Sequence, residues 1–273
     1  QSCDVVIAGA GIGGLACAVS AAQAGASVIL VEVSGMVGGT SRFAAGAFGP
    51  RFGTDWEEVK KKAPMSDDEL GQEVVENWDS FLEWITDLGL TTEELAPNSP
   101  YVWMGGKRPA EEGSKSYTDE YLQQFGEIFT SLGGTTLLNT RAVQVLTNDA
   151  GKAVGLRVED ANGPFDIEAK CVVLATGGWQ CDKEMCTKYL GRHADLCQAQ
   201  CVPYLDGEGI KMGVAVGAQL SRSFGSFYGH PQPWPTTYLE GIDTPDGYEA
   251  VSDIDDVHIL YYGTTEHSIQ GMG

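Results

Sequence analysis

The residues with the plainest chemical purpose stand at the front of the chain. Residues 4–14 read DVVIAGAGIGG, a short apolar strand running straight into Gly9-x-Gly11-x-x-Gly14. A helical stretch follows to Gly25, and a second strand, 27–31, ends on Glu32. In that layout Gly9 permits a tight turn and Gly11 lets the backbone approach a pyrophosphate. Gly14 lets the helix pack close against the strand. The head of the helix then offers N–H groups and partial positive charge to phosphates. Glu32 stands where a carboxylate accepts hydrogen bonds from both hydroxyls of a ribose. Strand, helix, second strand and terminal acid in register predict a βαβ unit that wraps a dinucleotide.

The rest of the chain must supply elements around that unit. A glycine-studded loop, GMVGGTSRFAAGAFGPRFG, covers 35–53. Ser66 and Glu69 have the spacing of a capping box. Leu70, Val74, Trp78, Leu82 and Ile85 follow at helical spacing as core residues, and Gly89 ends the run. A second helix is predicted over 119–132, burying Leu122, Phe125, Phe129 and Leu132. From 135 the pattern turns to β. A strand holding Val143 and Val145, a partner over 153–158 and a third over 165–169 make a three-stranded meander, with turns at 148–151 and 162–163. A buried strand, 171–175, ends in Thr176-Gly177-Gly178. A helix is expected around 182–190. Another opens at Asp206-Gly-Glu-Gly209 and holds Ile210, Met212, Val214 and Val216. Residues 224–248 are rich in Gly, Pro and aromatics, which places a domain boundary near 222. The fold class is α/β.

The 273 residues suffice for one large domain, or one domain and part of another, and 42% of them are hydrophobic. A net charge of -21 leaves no basic stripe for nucleic acid or for an anionic membrane surface. The apolar residues 5–33 are explained by the βαβ unit rather than by a bilayer span. Seven cysteines are present without a CxxC or CxxCH, so zinc-ribbon and haem-attachment readings fail. Cys181/Cys186 and Cys197/Cys201 form loosely spaced pairs, and free thiols in a reducing compartment are expected. That favours the cytoplasm. The chain opens without Met, two residues before its first strand, so trimming at the start and a removed export signal stay open.

Four motifs, in order, resemble the flavoprotein subunits of the fumarate reductase and succinate dehydrogenase superfamily, which includes soluble fumarate reductases, tricarballylate-type dehydrogenases and 3-ketosteroid dehydrogenases. They are GAGIGG (9–14), GGTSRFAAGAFG (38–49), VVLATGGWQCDKEMCTKYLG (172–191) and DGEGIKMGVAVGA (206–218). The resemblance implies a Rossmann-type FAD-binding domain over 1–222 with the meander as an insert. Residues 223–273 would begin an α+β capping domain that holds substrate. The long Gly/Ala loop after the acid argues for FAD over NAD, because a flavin lies against backbone where larger side chains clash.

By the same resemblance the cofactor-binding residues are Gly9, Ala10, Gly11, Gly13, Gly14, Glu32, Val33 and Gly38. Gly39, Thr40 and Ser41 lie along the pyrophosphate and ribityl chain, and Ala45 and Gly46 near the reactive edge of the ring. Val143 offers its backbone to adenine, and Thr176 and Gly177 pack on the adenosine side. Glu208 replaces an Asp common in the family. No His stands in the second motif, so the FAD is expected to be non-covalent.

The implied reaction reduces or forms a C=C bond next to a carboxyl or carbonyl group, by hydride transfer at flavin N5. His230 resembles the carboxylate-binding His of the family and is the candidate catalytic residue. Glu266 and His267 fall near its second polar substrate position. Arg42 and Arg222 are candidate positive charges, or else ordinary surface salt bridges. Tyr101, Tyr117 and Tyr228 are available to a ketosteroid-type site, or else are packing. The family continues beyond the Gly-x-Gly at 271–273, so a second polypeptide or a missing C-terminal segment is expected to complete both domains. The rival reading is a flavin-holding electron-transfer subunit whose chemistry lies elsewhere. The implied substrate is a small unsaturated carboxylate or enone, with a separate electron donor or acceptor. No metal is expected.

Overall fold

The computed structural model describes residues 1–44, 46–49, 54–64, 66–90, 92–94, 102–104, 117–196, 199, 201–221, 224, 231–234 and 258–261. The first strand, β1 (Ser2–Ala8), is a run of β-branched and small apolar residues. It hands over through Gly9–Gly11 to α1 (Ile12–Gln23), which is rich in alanine, the best helix former. Strand β2 (Val28–Val31) follows and is buried along its whole length. A single 3₁₀ turn covers Gly39–Phe43, and β3 (Ala47–Phe48) leaves it.

Three helices come next: α2 (Trp56–Lys62), α3 (Asp68–Glu76) and α4 (Trp78–Asp87). Short strands β4 (Thr92–Glu94) and β5 (Val102–Met104) join β3 in a small antiparallel sheet. Helix α5 (Tyr117–Ser131) leads to β6 (Thr135–Leu137). The meander is β7 (Arg141–Thr147), β8 (Ala153–Asp160) and β9 (Gly163–Leu174). One helical turn, α6 (Lys183–Met185), runs into a π-turn over Cys186–Leu190, and α7 (Glu208–Ala215) follows. Strands β10 (Pro231–Trp234) and β11 (His258–Tyr261) pair antiparallel.

The main sheet has the order β6-β2-β1-β9-β8-β7. Its first four strands are parallel, with Ile7 beside Leu30 on one side and Val173 on the other. Alternation of side chains divides the core into two layers. Ile7 and Leu30 face α1 and α5, where Leu15, Leu122 and Phe129 are fully buried. Val6, Ile29 and Val31 face the other way, against Leu156, Val158 and Ile167 of the meander and Met212 of α7. Each of these large apolar side chains contributes about 1.5–3 kcal/mol by leaving water. The α/β architecture with its meander insert is as the sequence leads one to expect.

Several local expectations need correction. The predicted strands 165–169 and 171–175 are one continuous strand, β9. Its first half pairs with β8 and its second half with β1, so one chain segment bridges the meander and the parallel sheet. The cap of α3 is Asp67, whose Oδ1 accepts from the N–H groups of Glu69 and Leu70 at 3.1 and 3.0 Å, and not Ser66. The predicted single helix breaks at Asn77, which rotates its first turns away from the core. Leu70 is 69% and Val74 58% exposed, and it is Val75, Trp78 and Ile85 that are buried. Leu132 lies past the end of α5 and is exposed, as are Val214 and Val216 at the end of α7.

Candidate cofactor site

Three glycine-rich turns meet where the parallel strands end. Gly9 follows β1 with φ +100°, a conformation that favours glycine, and its N–H donates to the Val31 carbonyl at 2.8 Å. A Cβ on Gly9 would run into the Ala175 carbonyl, because the ATGG turn after β9 lies directly against the turn after β1. A Cβ on Gly14 would sit on the Gly9 carbonyl oxygen, so α1 touches the turn beneath it. The third turn arrives through Gly38, whose N–H donates to Ala10 O at 2.7 Å. Chain neighbours β1, β2 and β6 run one way from the centre while β9 lies on the other side of β1. The turns therefore line the crevice where the strand order reverses, the usual place for a ligand in an open α/β sheet.

Two glycines of the GAGIGG segment are not used for packing. A Cβ on Gly11 would have no neighbour nearer than 3.7 Å, and one on Gly13 would meet nothing within 4 Å. Bare backbone at the head of α1 thus faces open space, with the first-turn N–H groups around it. Ser41 holds the third turn in place, its Oγ accepting from the Ile12 N–H at 3.2 Å.

Glu32 is the acid of this site and is 5% exposed. Its Oε2 accepts from the Ala10 N–H at 2.8 Å and its Oε1 from the Ser34 N–H at 2.9 Å, while the single Ser34 hydroxyl proton is shared between Oε1 at 2.9 Å and the Met36 carbonyl at 2.7 Å. A carboxylate has about four acceptor positions, so these contacts leave capacity for a further hydroxyl donor. Val33 follows it, partly buried. The cradle of bare glycine, helix N-terminus and buried acid fits a dinucleotide.

Comparison with known proteins agrees. Residues 4–178 match the family model described as FAD dependent oxidoreductase, and residues 120–241 match one described as FAD binding domain. The chain belongs to the FAD dependent oxidoreductase family. Among its relatives is the probable fumarate reductase Ifc3 of Shewanella frigidimarina, 28% identical over 236 residues, which are 81% of this chain and 40% of that protein. The urocanate reductase of Eggerthella lenta is 31% identical over 211 residues, 68% of this chain and 33% of the relative. The fold is similar to the open conformation of a flavocytochrome c3 fumarate reductase, with a TM-score of 0.72 and 27% identity over 85% of this chain and 43% of that one. The 3-ketosteroid delta1-dehydrogenase of Sterolibacterium denitrificans shares the fold at a TM-score of 0.74 and 16% identity, covering 85% and 57% of the two chains. This chain therefore spans about two fifths of the length of the fumarate reductase it matches.

Around the FAD cradle the structure brings the other motif residues to the same end of the sheet. Gly39, Thr40 and Ser41 form the 3₁₀ turn, and Gly46 is buried beyond it. Thr40 Oγ1 accepts from the Val202 N–H at 3.2 Å. Val143 lies at a β-bulge: Ala142 pairs with Val158 and Gln144 with Arg157, so Val143 falls at the register shift. Thr176 and Gly177 make the ATGG turn, and a Cβ on Gly209 would meet Thr176 Oγ1, so the start of α7 closes on that turn. Asp206 fixes this junction. Its Oδ1 accepts from the Glu208 N–H at 3.3 Å and its Oδ2 pairs with Arg141 at 2.9 Å. Glu208 itself is 39% exposed and lies 3.9 Å from Lys211.

Ala45, Arg222, Tyr101, Tyr228, His230, Glu266 and His267 lie outside the described residues, and Tyr117 is described only as the first residue of α5. Arg42 is not a surface charge, as one sequence reading had it. Its side chain is 1% exposed and pairs with Asp119. Sequence reasoning also missed Ser34, the second donor to Glu32, and the approach of Cys181 to Cys201. The Arg42 and cysteine contacts depend on which distant segments the fold brings together, whereas Ser34 reaches Glu32 two residues away through a local turn. Among the described residues no helix is long and apolar enough to cross a membrane, and no group of three His, Cys, Asp or Glu could hold a metal ion.

Proposed function

We propose that this chain is the flavin-holding part of an oxidoreductase that reduces or forms a C=C bond next to a carboxyl or carbonyl group, with FAD bound non-covalently. The observation that carries the reading is the unfilled backbone at Gly11 and Gly13, set between packed Gly9 and Gly14 at the reversal point of the sheet. Relatives named as fumarate and urocanate reductases support the reaction class. Bound FAD supplies a hydride acceptor or donor at N5.

The chain's own residues bind and orient. The head of α1 offers N–H groups and partial positive charge to the pyrophosphate, and Glu32 accepts from a ribose hydroxyl. The backbone at the Val143 bulge is offered to adenine. The 3₁₀ turn at Gly39–Phe43 and Gly46 leave room for the ring. His230 is the proposed carboxylate-binding group, with Glu266 and His267 beside it, in a capping domain that begins near 223. Because this chain spans about two fifths of the fumarate reductase it matches, a further segment or chain completes the cap.

The test begins with the full chain, reconstituted with FAD and freed of excess. Wild type is expected to keep yellow flavin. Gly11→Val is expected to lose it while unfolding at a similar denaturant concentration, since the new side chain fills ligand space rather than protein space. Wild-type flavin content in Gly11→Val would contradict the placement. Photoreduced protein is then mixed anaerobically with an enoate such as fumarate or urocanate, and with an enone. Reoxidation of the flavin supports a C=C reductase. A flavin that cycles with artificial donors while no organic compound alters its spectrum points to an electron-transfer subunit. His230→Ala is expected to hold flavin and to slow turnover.

A further inference from the structure

Cys181 and Cys201 are twenty residues apart and their sulfurs approach to 3.4 Å. The backbone sets them there. Cys181 donates its N–H to Leu205 O at 2.8 Å, so the segment just after the ATGG turn runs beside the segment that precedes α7. Cys181 Sγ also lies 3.5 Å from Val202 O. Cys201 is 3% exposed, in an apolar cluster with Phe43, Val202 and Leu205, whereas Cys181 is partly open to solvent.

The surroundings make the two sulfurs unequal. The contact with Cys201, together with the Leu205 backbone and the Lys183 charge, draws the Cys181 thiol below its ordinary value. The same contact, together with burial, holds Cys201 well above the usual thiol range. A partly exposed sulfur with thiolate character backed by a buried thiol is the arrangement of an attacked cysteine and its resolving partner.

We propose that Cys181 and Cys201 are a peroxide-oxidisable dithiol that closes to an intramolecular disulfide, with Cys181 attacked first and Cys201 resolving it. The Cys181 thiolate attacks one peroxide oxygen. The O–O bond breaks, an S–O bond forms, and the departing hydroxide takes up a proton as water. Cys201 sulfur then attacks Cys181 sulfur. The S–O bond breaks, the S–S bond forms, and the Cys201 proton leaves with the hydroxide as a second water. Two thiols and one hydrogen peroxide become one disulfide and two waters, the two electrons passing from sulfur to peroxide.

Little movement is required. The sulfurs close from 3.4 Å to the disulfide length of about 2.05 Å. Cys186 competes poorly, since it is buried and its Sγ lies 3.5 Å from the Gln180 carbonyl. The product ties the two segments on either side of the π-turn. It lies one residue from Val202, whose N–H holds Thr40. The proposal does not depend on flavin being bound.

The full chain is reduced, desalted, treated with equimolar hydrogen peroxide, blocked with a maleimide and digested. Mass mapping is expected to show one linked pair of peptides, joining Cys181 to Cys201, with two thiols lost and both regained with dithiothreitol. Cys201→Ser is expected to leave Cys181 as a sulfenic acid that dimedone captures, and Cys181→Ser to leave Cys201 as a thiol. The wild-type map stands even if neither variant folds. Cross-links to Cys186 or Cys197, a disulfide between two chains, or both sulfurs still alkylated while other thiols are oxidised would each overturn the proposal.

Discussion

Arg42 and Asp119 form an ion pair inside the protein, with Nε 2.5 Å from Oδ1 and the two side chains 1% and 17% exposed. They stand 77 residues apart in sequence. Arg42 belongs to the 3₁₀ turn of the second FAD motif and Asp119 to the first turn of α5. The arginine stem runs under Gly38, where a Cβ would come within 2.6 Å of Arg42 Cγ. Its guanidinium also contacts the Met36 sulfur. The pair anchors the 3₁₀ turn to the helix that covers the sheet.

Removing Asp119 takes a charge-assisted hydrogen bond from a guanidinium that is almost fully buried. Asp119→Ala is therefore expected to cost about 1.5–3 kcal/mol, the range for a hydrogen bond to a charged group. Arg42→Met combined with Asp119→Leu is expected to recover much of that loss. Urea unfolding of the three proteins gives the comparison, and equal midpoints for Asp119→Ala and wild type would show that the pair contributes nothing.

Gly13 and Gly14 are adjacent, yet an added methyl group should act in opposite directions. At Gly14 it meets the Gly9 carbonyl, a backbone atom that cannot move without shifting the end of β1. Gly14→Ala is expected to cost about 1–3 kcal/mol through overpacking. At Gly13 there is nothing within 4 Å. Gly13→Ala should leave the apo protein unchanged or up to about 1 kcal/mol more stable, from reduced backbone freedom. Thermal melts without flavin should move down for the first and hold or rise for the second.

The parallel core was legible because each part has a local signal. The glycine fingerprint marks the first turn, and β-branched runs mark β1, β2 and the end of β9. The α3–α4 break was not legible, since Leu70 and Val74 keep helical spacing with Trp78 and Ile85. Only the reorientation at Asn77 puts them in solvent. Strands β4 and β5 are three residues each, too short for periodicity to register. At the site, residues whose role is backbone shape were readable from type alone. Arg42 and the cysteine pair were not, because their partners are fixed by tertiary approach, and Ser34 was not, because its contact with Glu32 two residues away is a local turn with no marker residue.

Acid should weaken the protein through three surface pairs. The Lys170 hydrogen bond, with Ser27 beside it, holds the Asp4 carboxyl below the usual carboxylate range. The Arg157 hydrogen bond does the same for Asp166, and Lys211 with the Met185 backbone for Asp182. A depressed carboxyl stabilises fully above its unfolded value of about 3.9, and the contribution disappears as pH falls through the lower folded value. Melting temperature is expected to drop as pH is taken from about 4 towards about 2. In Asp4→Asn and Asp166→Asn that drop should be shallower. An identical acid limb in the variants would assign the loss to other groups.

Glu32 tests whether the acid of the site also holds the fold. Its two oxygens accept from the N–H groups of Ala10 and Ser34 in a buried position, and the Ser34 hydroxyl lies between Oε1 and the Met36 carbonyl. Glu32→Gln keeps the shape but replaces one acceptor with an NH₂ group, which must face either the Ala10 N–H or the Ser34 donors. One buried donor is then unsatisfied, at a cost of about 1–3 kcal/mol. Ser34→Ala removes only the hydroxyl, for about 0.5–1.5 kcal/mol. Since both changes act on one network, the double variant should lose less than the sum of the two. Denaturant midpoints of the apo proteins read that coupling, and FAD titrations of the same four proteins read binding separately. Full additivity in the first measurement would mean that Ser34 and the carboxylate act independently.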